Sequence, residues 1–323
     1  MRSYRYFHLD VFTASLFGGN QLAVFLDGRG LTTEDMQAIA KEMNFSETTF
    51  ILPPERDDTD TRMRIFTPAA ELALAGHPTI GSTFALARAG VIAPGRSEPF
   101  VFGLGVGPIP VSLSWSSSTG TSQLKSAFMS QPVPKFSPAA KREHLALIAD
   151  ALHISGDDLD TKLPVQIGSA GLSFLYVALT TREAVDRSRL DYNKLKHFYA
   201  TAGIGEAKGC FVFTAAPSTA RTDTATVYSR MFAPNLGIEE DPATGSASGP
   251  LGCHLVLNHV VPPEKWGEIV NLQGVKMGRA STIHIAITTK DGATADAEEA
   301  PEITKVVVGG ESVVAGEGTI FLP

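Results

Sequence analysis

Two distant stretches of the chain share one pattern, a turn followed by an apolar run of Gly, Ser, Ala and Thr. The first is ELALAGHPTIGSTFALA (71–87) and the second is EEDPATGSASGPLG (239–252). Strand-like segments precede each of them: TTFILP (48–53), TRMRIFTP (61–68), KGCFVFTA (208–215) and VYSRMFAP (227–234). The same order of elements recurs after about 165 residues, which is far too long for a solenoid repeat. The repeat predicts two homologous domains that face each other.

Length and charge limit the classes of protein and partner. The 323 residues suffice for two domains of about 150 residues each. The net charge of −7 and the pI near 5.6 disfavour nucleic acid and anionic membranes as partners. The first residues lack a charged-then-apolar leader, and no apolar run approaches 18 residues. We therefore expect a cytoplasmic protein that binds neither nucleic acid nor membrane.

The sequence carries no motif typical of a metal or cofactor site. Cys210 and Cys253 form no CxxC or Cys/His cluster, and His254 and His259 are not accompanied by a suitably spaced acid. GLGVGP (103–108) contains a proline and is not followed by a helical pattern, so it is not a dinucleotide-binding loop. We expect no metal, no cofactor, and two cysteines that behave as buried small hydrophobes.

Two helices and one exposed segment follow from local patterns. TTEDMQAIAKEMN (32–44) predicts an amphipathic helix capped by Thr32 or Thr33. TIGSTFALARAG (79–90) predicts an apolar helix that follows a Gly-His-Pro turn. SWSSSTGTSQ (114–123) is typical of an exposed hairpin or a linker.

The domain boundaries are expected near the Ser-rich segment. We expect an N-terminal domain of residues 1–125, completed by a strand near 308–323, and a C-terminal domain of residues 126–307. A cleft between two such domains is a common place for a small-molecule site.

The two small-residue helix starts favour an anion site. Exposed backbone N–H groups and the positive end of the helix dipole attract anions, and small side chains let a ligand approach the backbone. ATGSASG (243–249) therefore has the character of a carboxylate site, with GHPTIGS (76–82) as a facing wall. The alternative is that both helices are small only because they pack tightly in a core.

Four polar residues near these motifs are candidates for chemistry. Glu47, among apolar neighbours, could have a raised pKa and act as a general base, or it could be a surface acid. His77, fixed between Gly76 and Pro78, could be a general acid or a structural histidine. Asp241 could serve the site or merely cap the second helix, and Ser246 could bind a carboxylate or simply be small.

Several blocks resemble those of the phenazine-biosynthesis PhzF-like proteins, which are relatives of diaminopimelate epimerase. They are FGGNQLAVFLD, MQAIAKEMNFSETTFILP, RMRIFTPAAELALAGHPTIG, SRMFAPNLGIEEDPATGSASGPLGCHL and QGVKMGR. The resemblance implies an α/β fold of two homologous domains, each a curved, mostly antiparallel sheet or barrel around a central helix. The two small-residue helices would be those central helices, which reconciles their packing and ligand-binding interpretations.

The resemblance also implies a reaction, a cofactor-free isomerisation that moves a proton between carbons of a small carboxylate-bearing substrate. The catalytic positions of the family fall on Glu47, His77, Asp241 and Ser246, and positions that line the ligand fall on Gly76, Gly245, Asn20 and Thr244. A homodimer is expected on the same ground. Many members have no assigned substrate, so the substrate does not transfer with the fold.

The related epimerases use two cysteines, one on each side of the substrate carbon. The corresponding turns here are Gly76–His77 and Pro242–Ala243, and neither contains Cys210 or Cys253. This disfavours a two-cysteine racemase or epimerase mechanism. The remaining alternatives are another epimerase or lyase reaction on an amino-acid-like substrate and a non-catalytic binding role.

Overall fold

The computed structural model describes residues 2–118, 121–216, 218, 224–290 and 300–322. The strands are β1 (Arg2–Val11), β2 (Asn20–Phe25), β3 (Glu47–Leu52), β4 (Thr61–Phe66), β5 (Glu71–Leu72), β6 (Phe100–Leu104), β7 (Gly107–Ser118), β8 (Thr121–Gln131), β9 (Lys135–Phe136), β10 (Gln166–Ser169), β11 (Ser173–Ala178), β12 (Gly209–Thr214), β13 (Val227–Ala233), β14 (Ile238–Asp241), β15 (Ile269–Gln273), β16 (Ser281–Thr289), β17 (Ile303–Gly310) and β18 (Ser312–Leu322). The helices are α1 (Thr33–Met43), α2 (Gly76–Arg88), α3 (Leu145–Ala151), α4 (Arg182–Arg187), α5 (Tyr192–Ala202) and α6 (Gly245–Leu257).

The architecture is mixed α/β with mostly antiparallel strands. Parallel pairs occur between β2 and β3, β4 and β6, β11 and β12, and β13 and β15. The long antiparallel pairs include β1 with β18 and β7 with β8.

The chain divides into two compact units, Met1–Ser130 with Gly278–Thr282 and Val308–Pro323, and Gln131–Met277 with Ile283–Val307. We call them unit 1 and unit 2. They differ from the expected domains at residues 126–130 and 278–282, both of which belong to unit 1.

Unit 1 contains helix α2, which packs against β1, β2, β3 and β18. Its residues from Gly76 to Leu86 are all buried. Gly81 allows the close approach, because a Cβ at this position would lie 2.5 Å from Leu22 Cδ2 and 2.7 Å from Val11 Cγ2. A second apolar cluster lies between α1 and the sheet and includes Phe25, Phe50 and Phe66.

Unit 2 contains helix α6, which packs against β10 and β11. Every residue of α6 from Gly245 to Val256 is buried except Ser246. A Cβ at Gly252 would lie 2.6 Å from Ile285 Cγ2, so a glycine is again found where a strand approaches the helix. A separate apolar cluster joins α3, α4 and α5 to the strands of this unit.

Helix α1 has the predicted form. Thr32 is the N-cap, and its side chain and that of Asp35 form a reciprocal capping box. Met36, Ile39 and Ala40 are buried on one face, and Met43 packs against the same cluster.

The predicted starts of the two small-residue helices need correction. Helix α2 begins at Gly76, so His77 and Pro78 lie in its first turn rather than in a preceding turn. Proline is tolerated there because first-turn N–H groups have no partner within the helix. Asp241 is not the N-cap of α6. It ends β14, and Thr244 holds the N-cap position.

Both segments that were predicted from their Gly or Ser content lie where one strand turns back into the next. GLGVGP (103–108) lies where β6 turns back into β7, not before a helix. SWSSSTGTSQ (114–123) lies at the end of the β7–β8 hairpin, and its residues 119 and 120 fall outside the described residues.

Candidate active site

The start of helix α2 gathers one set of candidate residues. Asn20 begins β2 and Glu47 begins β3, and these strands are parallel with Leu22 beside Glu47. Parallel neighbours start at the same edge of a sheet, so both side chains come to one edge. Helix α2 brings Gly76 and His77 to this edge. We call Asn20, Glu47, Gly76 and His77 the histidine corner.

His77 is the centre of this corner. Its Nδ1 lies 3.3 Å from Asn20 Nδ2, and its Nε2 lies 3.3 Å from Glu47 Oε2. The two side chains of the latter contact are 5% and 12% exposed. When Nδ1 accepts from the Asn20 amide, the ring proton is on Nε2 and faces the carboxyl group of Glu47.

Burial sets the charge of His77. Loss of solvation lowers the pKa of the ring to about 3, although a hydrogen bond with the Gln21 backbone acts in the opposite direction. The ring is therefore neutral at pH 7, and its contact with Glu47 is a polar contact rather than an ion pair. A neutral imidazole can donate one hydrogen bond through its N–H group and accept one at its other ring nitrogen without bringing a net charge into the core.

The start of helix α6 gathers the second set. Thr244 Oγ1 lies 2.5 Å from Asp241 Oδ2, and Gly245 and Ser246 follow in the first turn. Ser246 is the one partly exposed residue between Asp241 and Val256. With Gln273, these residues form what we call the aspartate corner.

Gln273 connects Asp241 and Thr244 by hydrogen bonds, a role that the sequence analysis did not predict. Its Oε1 accepts the N–H of Thr244 at 3.1 Å, and its Nε2 donates to Asp241 O at 2.7 Å and to Thr244 Oγ1 at 3.0 Å. Because Thr244 Oγ1 accepts from this amide, its own proton is directed to Asp241 Oδ2. The amide thus fixes the donor and acceptor roles around Asp241.

The sequence of strand β15 contains a pattern that could have indicated the role of Gln273. Every second residue of the strand, Ile269, Asn271 and Gln273, lies on its buried face, and Asn271 and Gln273 are 0% exposed. Polar side chains on the inward face of a strand need partners inside the protein, so this pattern indicates a buried polar network.

The structure shows the environment of both cysteines and the arrangement of residues that could bind a metal. Cys210 and Cys253 are buried and unpaired with each other, and burial raises the pKa of each thiol to about 12. Among the residues that the structure describes, no group of three or more His, Cys, Asp or Glu side chains is arranged to hold a metal ion. In the same residues, no helix is both long and apolar enough to span a bilayer.

Comparison with known proteins identifies the family. The profile of the family described as "Phenazine biosynthesis-like protein" matches residues 9–318. The chain belongs to this PhzF family, and it is an isomerase of that family.

Two relatives cover nearly the whole chain. The trans-2,3-dihydro-3-hydroxyanthranilate isomerase of Pseudomonas chlororaphis is 34% identical over 319 residues, which is 99% of this chain and 100% of the relative. The uncharacterized isomerase YddE of Escherichia coli K12 is 32% identical over 311 residues, 95% of each chain.

Solved structures support the fold. A PhzF-family phenazine biosynthesis protein from Bacillus anthracis matches with a TM-score of 0.79 at 24% identity, over 100% of both chains. A probable proline racemase from Agrobacterium radiobacter K84 matches with a TM-score of 0.63 at 12% identity, over 99% of this chain and 93% of the other. The fold is therefore shared with racemases as well as with PhzF proteins.

Proposed function

We propose that this isomerase moves a proton between two carbon atoms of a small carboxylate-bearing substrate without a metal ion or cofactor, and that Glu47 carries the proton. The observation that supports this most is the 3.3 Å contact between Glu47 Oε2 and the neutral His77 ring in an almost fully buried corner. The ring holds the carboxyl group in a defined direction and burial screens it from bulk water, as a positioned proton-transfer group requires.

The proposed reaction is balanced without an external reagent. The Glu47 carboxylate accepts a proton from one substrate carbon, and the electron pair left behind spreads into the adjoining unsaturated system. Glu47 then returns the proton to a different carbon, which restores the carboxylate and shifts the double bond. Nothing is oxidised or reduced overall. His77 orients the Glu47 carboxyl group through its single ring proton on Nε2.

The remaining candidates bind and orient in this proposal. Ser246 and the first N–H groups of α6 bind the substrate carboxylate, because this helix end is the partly exposed point of a buried segment. Asp241, held by Thr244, accepts a hydrogen bond from a polar group of the substrate. Gly76 and Gly245 keep the two helix starts free of side chains, and Asn20 holds His77.

The test uses trans-2,3-dihydro-3-hydroxyanthranilate, the compound named for the Pseudomonas chlororaphis relative, as a probe in deuterated water. Isomerisation and deuterium incorporation are followed by NMR and mass spectrometry. We expect Glu47→Gln to lower kcat by about 10²–10⁴-fold, since it removes the proton-transfer group. The melting temperature should stay close to that of the parent chain.

Glu42→Gln is the matched control, because Glu42 is an exposed acid at the end of α1. It should leave turnover unchanged. Normal exchange by the Glu47→Gln chain would refute the role of Glu47. Binding of the probe by the parent chain without any exchange would instead favour a non-catalytic binding protein.

We also infer that units 1 and 2 are copies of one ancestral domain, each with a mostly antiparallel sheet around a central helix. Support comes from helices α2 and α6, which are both 13 residues long and buried over almost their whole length. A homodimer and a cytoplasmic location stay predictions of the resemblance and the sequence. A two-cysteine mechanism gains no support, because both thiols are buried and protonated at pH 7.

A further inference from the structure

The loop between β1 and β2 holds an unfavourable backbone conformation. Phe17 has φ +67°, in the left-handed region that non-glycine residues rarely adopt, and its side chain is 73% exposed. Packing of the ring therefore contributes little to holding this conformation. Gly19 also has a positive φ, +62°. The loop must be held by other contacts.

Asp10 and Arg279 supply the side-chain part of these contacts, beside a backbone hydrogen bond from Gly19 N to Ala280 O at 3.1 Å. Asp10 is 1% exposed, and its Oδ2 accepts the N–H of Phe17 at 2.7 Å. Arg279 donates through Nη2 to Asp10 Oδ1 at 2.5 Å and to Gly18 O at 2.6 Å, and through Nε to Gly19 O at 2.8 Å. One ion pair thus binds three consecutive loop residues.

An Asp–Arg pair is chemically suited to holding the loop in one fixed conformation. A buried carboxylate needs a partner for its charge, and a guanidinium satisfies it while its remaining N–H groups reach two carbonyl oxygens. A lysine would keep the charge but could not span the same acceptors with a fixed fork. The pair therefore defines the geometry of the loop and not only its electrostatic balance.

The loop leads directly into the histidine corner. The residue after Gly19 is Asn20, which is 1% exposed and contacts the His77 ring. A shift of Gly18 and Gly19 would move the Asn20 amide away from Nδ1. His77 would then lose the partner that orients its ring towards Glu47.

We propose that Asp10 and Arg279 are positioning residues of the active site, which fix residues 17–19 so that Asn20 orients His77 against Glu47. The effect on catalysis rests on the proposed function, whereas the effect on the His77 ring does not.

The experiment compares Arg279→Lys with the parent chain by NMR of ring-labelled histidine, without ligand. The His77 signals are assigned by their loss in His77→Asn. We expect the His77 ring in the Arg279→Lys chain to bind a proton about tenfold more tightly, as it gains access to water. The signals of His254 in unit 2 should not change. On the probe substrate, kcat should fall by about 10²-fold with KM changed by less than about threefold.

Arg5→Lys is the matched control. Arg5 lies on β1, as Asp10 does, and pairs with an acid, Glu317, but these side chains are 71% and 61% exposed. This change should leave the His77 signals and kcat as they are. If Arg279→Lys does not fold, Asp10→Asn provides the same readout, because it removes the charge and keeps the shape.

Each outcome decides the proposal. An unchanged His77 titration in the Arg279→Lys chain overturns it, whatever happens to activity. Parallel changes at His77 and His254 with a lower melting temperature also overturn it, because the pair then supports the whole fold. A change confined to His77 supports it even if the parent chain is inert on the probe, in which case only the proposed function fails.

Discussion

The buried helices of the two units reach the same packing by the same means. Helices α2 and α6 each begin at a glycine and run for 13 residues. Each places a glycine where an aliphatic side chain of a strand approaches, Gly81 beside Leu22 and Gly252 beside Ile285. These two glycines are therefore required by packing, whatever the helix starts do for a ligand.

The polar groups at the two helix starts are arranged differently. In the aspartate corner, Gln273 satisfies the backbone and side chain of Thr244 and the backbone of Asp241. In the histidine corner, Nε2 of His77 is buried and makes no well-formed hydrogen bond within the described part of the chain. The two corners therefore differ in how far their polar groups are engaged, because the three groups held by Gln273 are all satisfied whereas Nε2 of His77 is not satisfied within the described residues.

Removal of Gln273 should have the largest effect on this comparison. We expect Gln273→Leu to lower the free energy of unfolding by about 3–5 kcal/mol, because three buried polar groups lose their partner at about 1–3 kcal/mol each, partly offset by local relaxation. Chemical denaturation monitored by circular dichroism measures this change.

Gln37→Leu is the control for Gln273→Leu. Gln37 donates one hydrogen bond, to Thr67 O, in a part-buried position. We expect it to cost about 1 kcal/mol or less. Equal losses for the two variants would show that the aspartate corner has no special dependence on its glutamine.

The second prediction concerns pH, since each helix carries one buried neutral histidine. Burial lowers the pKa of His77 to about 3 and that of His254 to about 4, below the usual 6.5. The unfolded chain therefore binds more protons than the folded chain between about pH 6.5 and the lowered pKa, so stability falls as the pH falls through this window. For His254 the loss between pH 7 and pH 5 is about 2 kcal/mol.

Variants separate the two histidines. His254→Gln should remove about 2 kcal/mol of the loss seen between pH 7 and pH 5, and His77→Asn should remove a similar amount. Asn193→Gln, at an exposed position of α5, removes no titratable group and should leave the pH dependence as it is. Urea denaturation at both pH values provides the measurement. If stability depends on pH in the His254→Gln chain as it does in the parent chain, folding does not change the pKa of the His254 ring.

The parts of the fold that depend on neighbours in sequence could be predicted. Helix α1 has its N-cap at Thr32, acidic residues in its first turn, and buried residues spaced three and four positions apart. All of these features depend only on residues that are close in sequence. The start of α2 was misplaced because Gly-His-Pro is typical of a turn. A proline in the first turn of a helix forfeits no backbone hydrogen bond, so Gly-His-Pro is equally compatible with a helix start.

The parts of the site that depend on distant contacts could not be predicted. The resemblance pointed to Glu47 and His77, and the structure brings these two together. It did not point to Asp10 and Arg279, which are 269 residues apart in the sequence and meet only through the tertiary fold. A buried acid on a strand indicates that a partner exists, but it does not indicate which of the basic residues is that partner.

The last prediction tests whether the two helices are packed equally tightly. Gly81→Ala places a methyl group 2.5 Å from Leu22 Cδ2 and 2.7 Å from Val11 Cγ2, and both side chains are 0% exposed. Gly249→Ala places it against the end of the partly exposed Gln131 side chain and 3.0 Å from Cγ1 of the buried Val306. We expect Gly81→Ala to cost about 1–3 kcal/mol through overpacking, although alanine is intrinsically the better helix former by about 1 kcal/mol. Gly249→Ala should cost about 1 kcal/mol, because the end of the Gln131 side chain can move at the loss of its hydrogen bond to Gly245 O, and Val306 Cγ1 needs only a small shift. Denaturant unfolding of both variants gives the comparison, and a greater loss for Gly249→Ala would show that Gln131 is held more rigidly than the aliphatic core of unit 1.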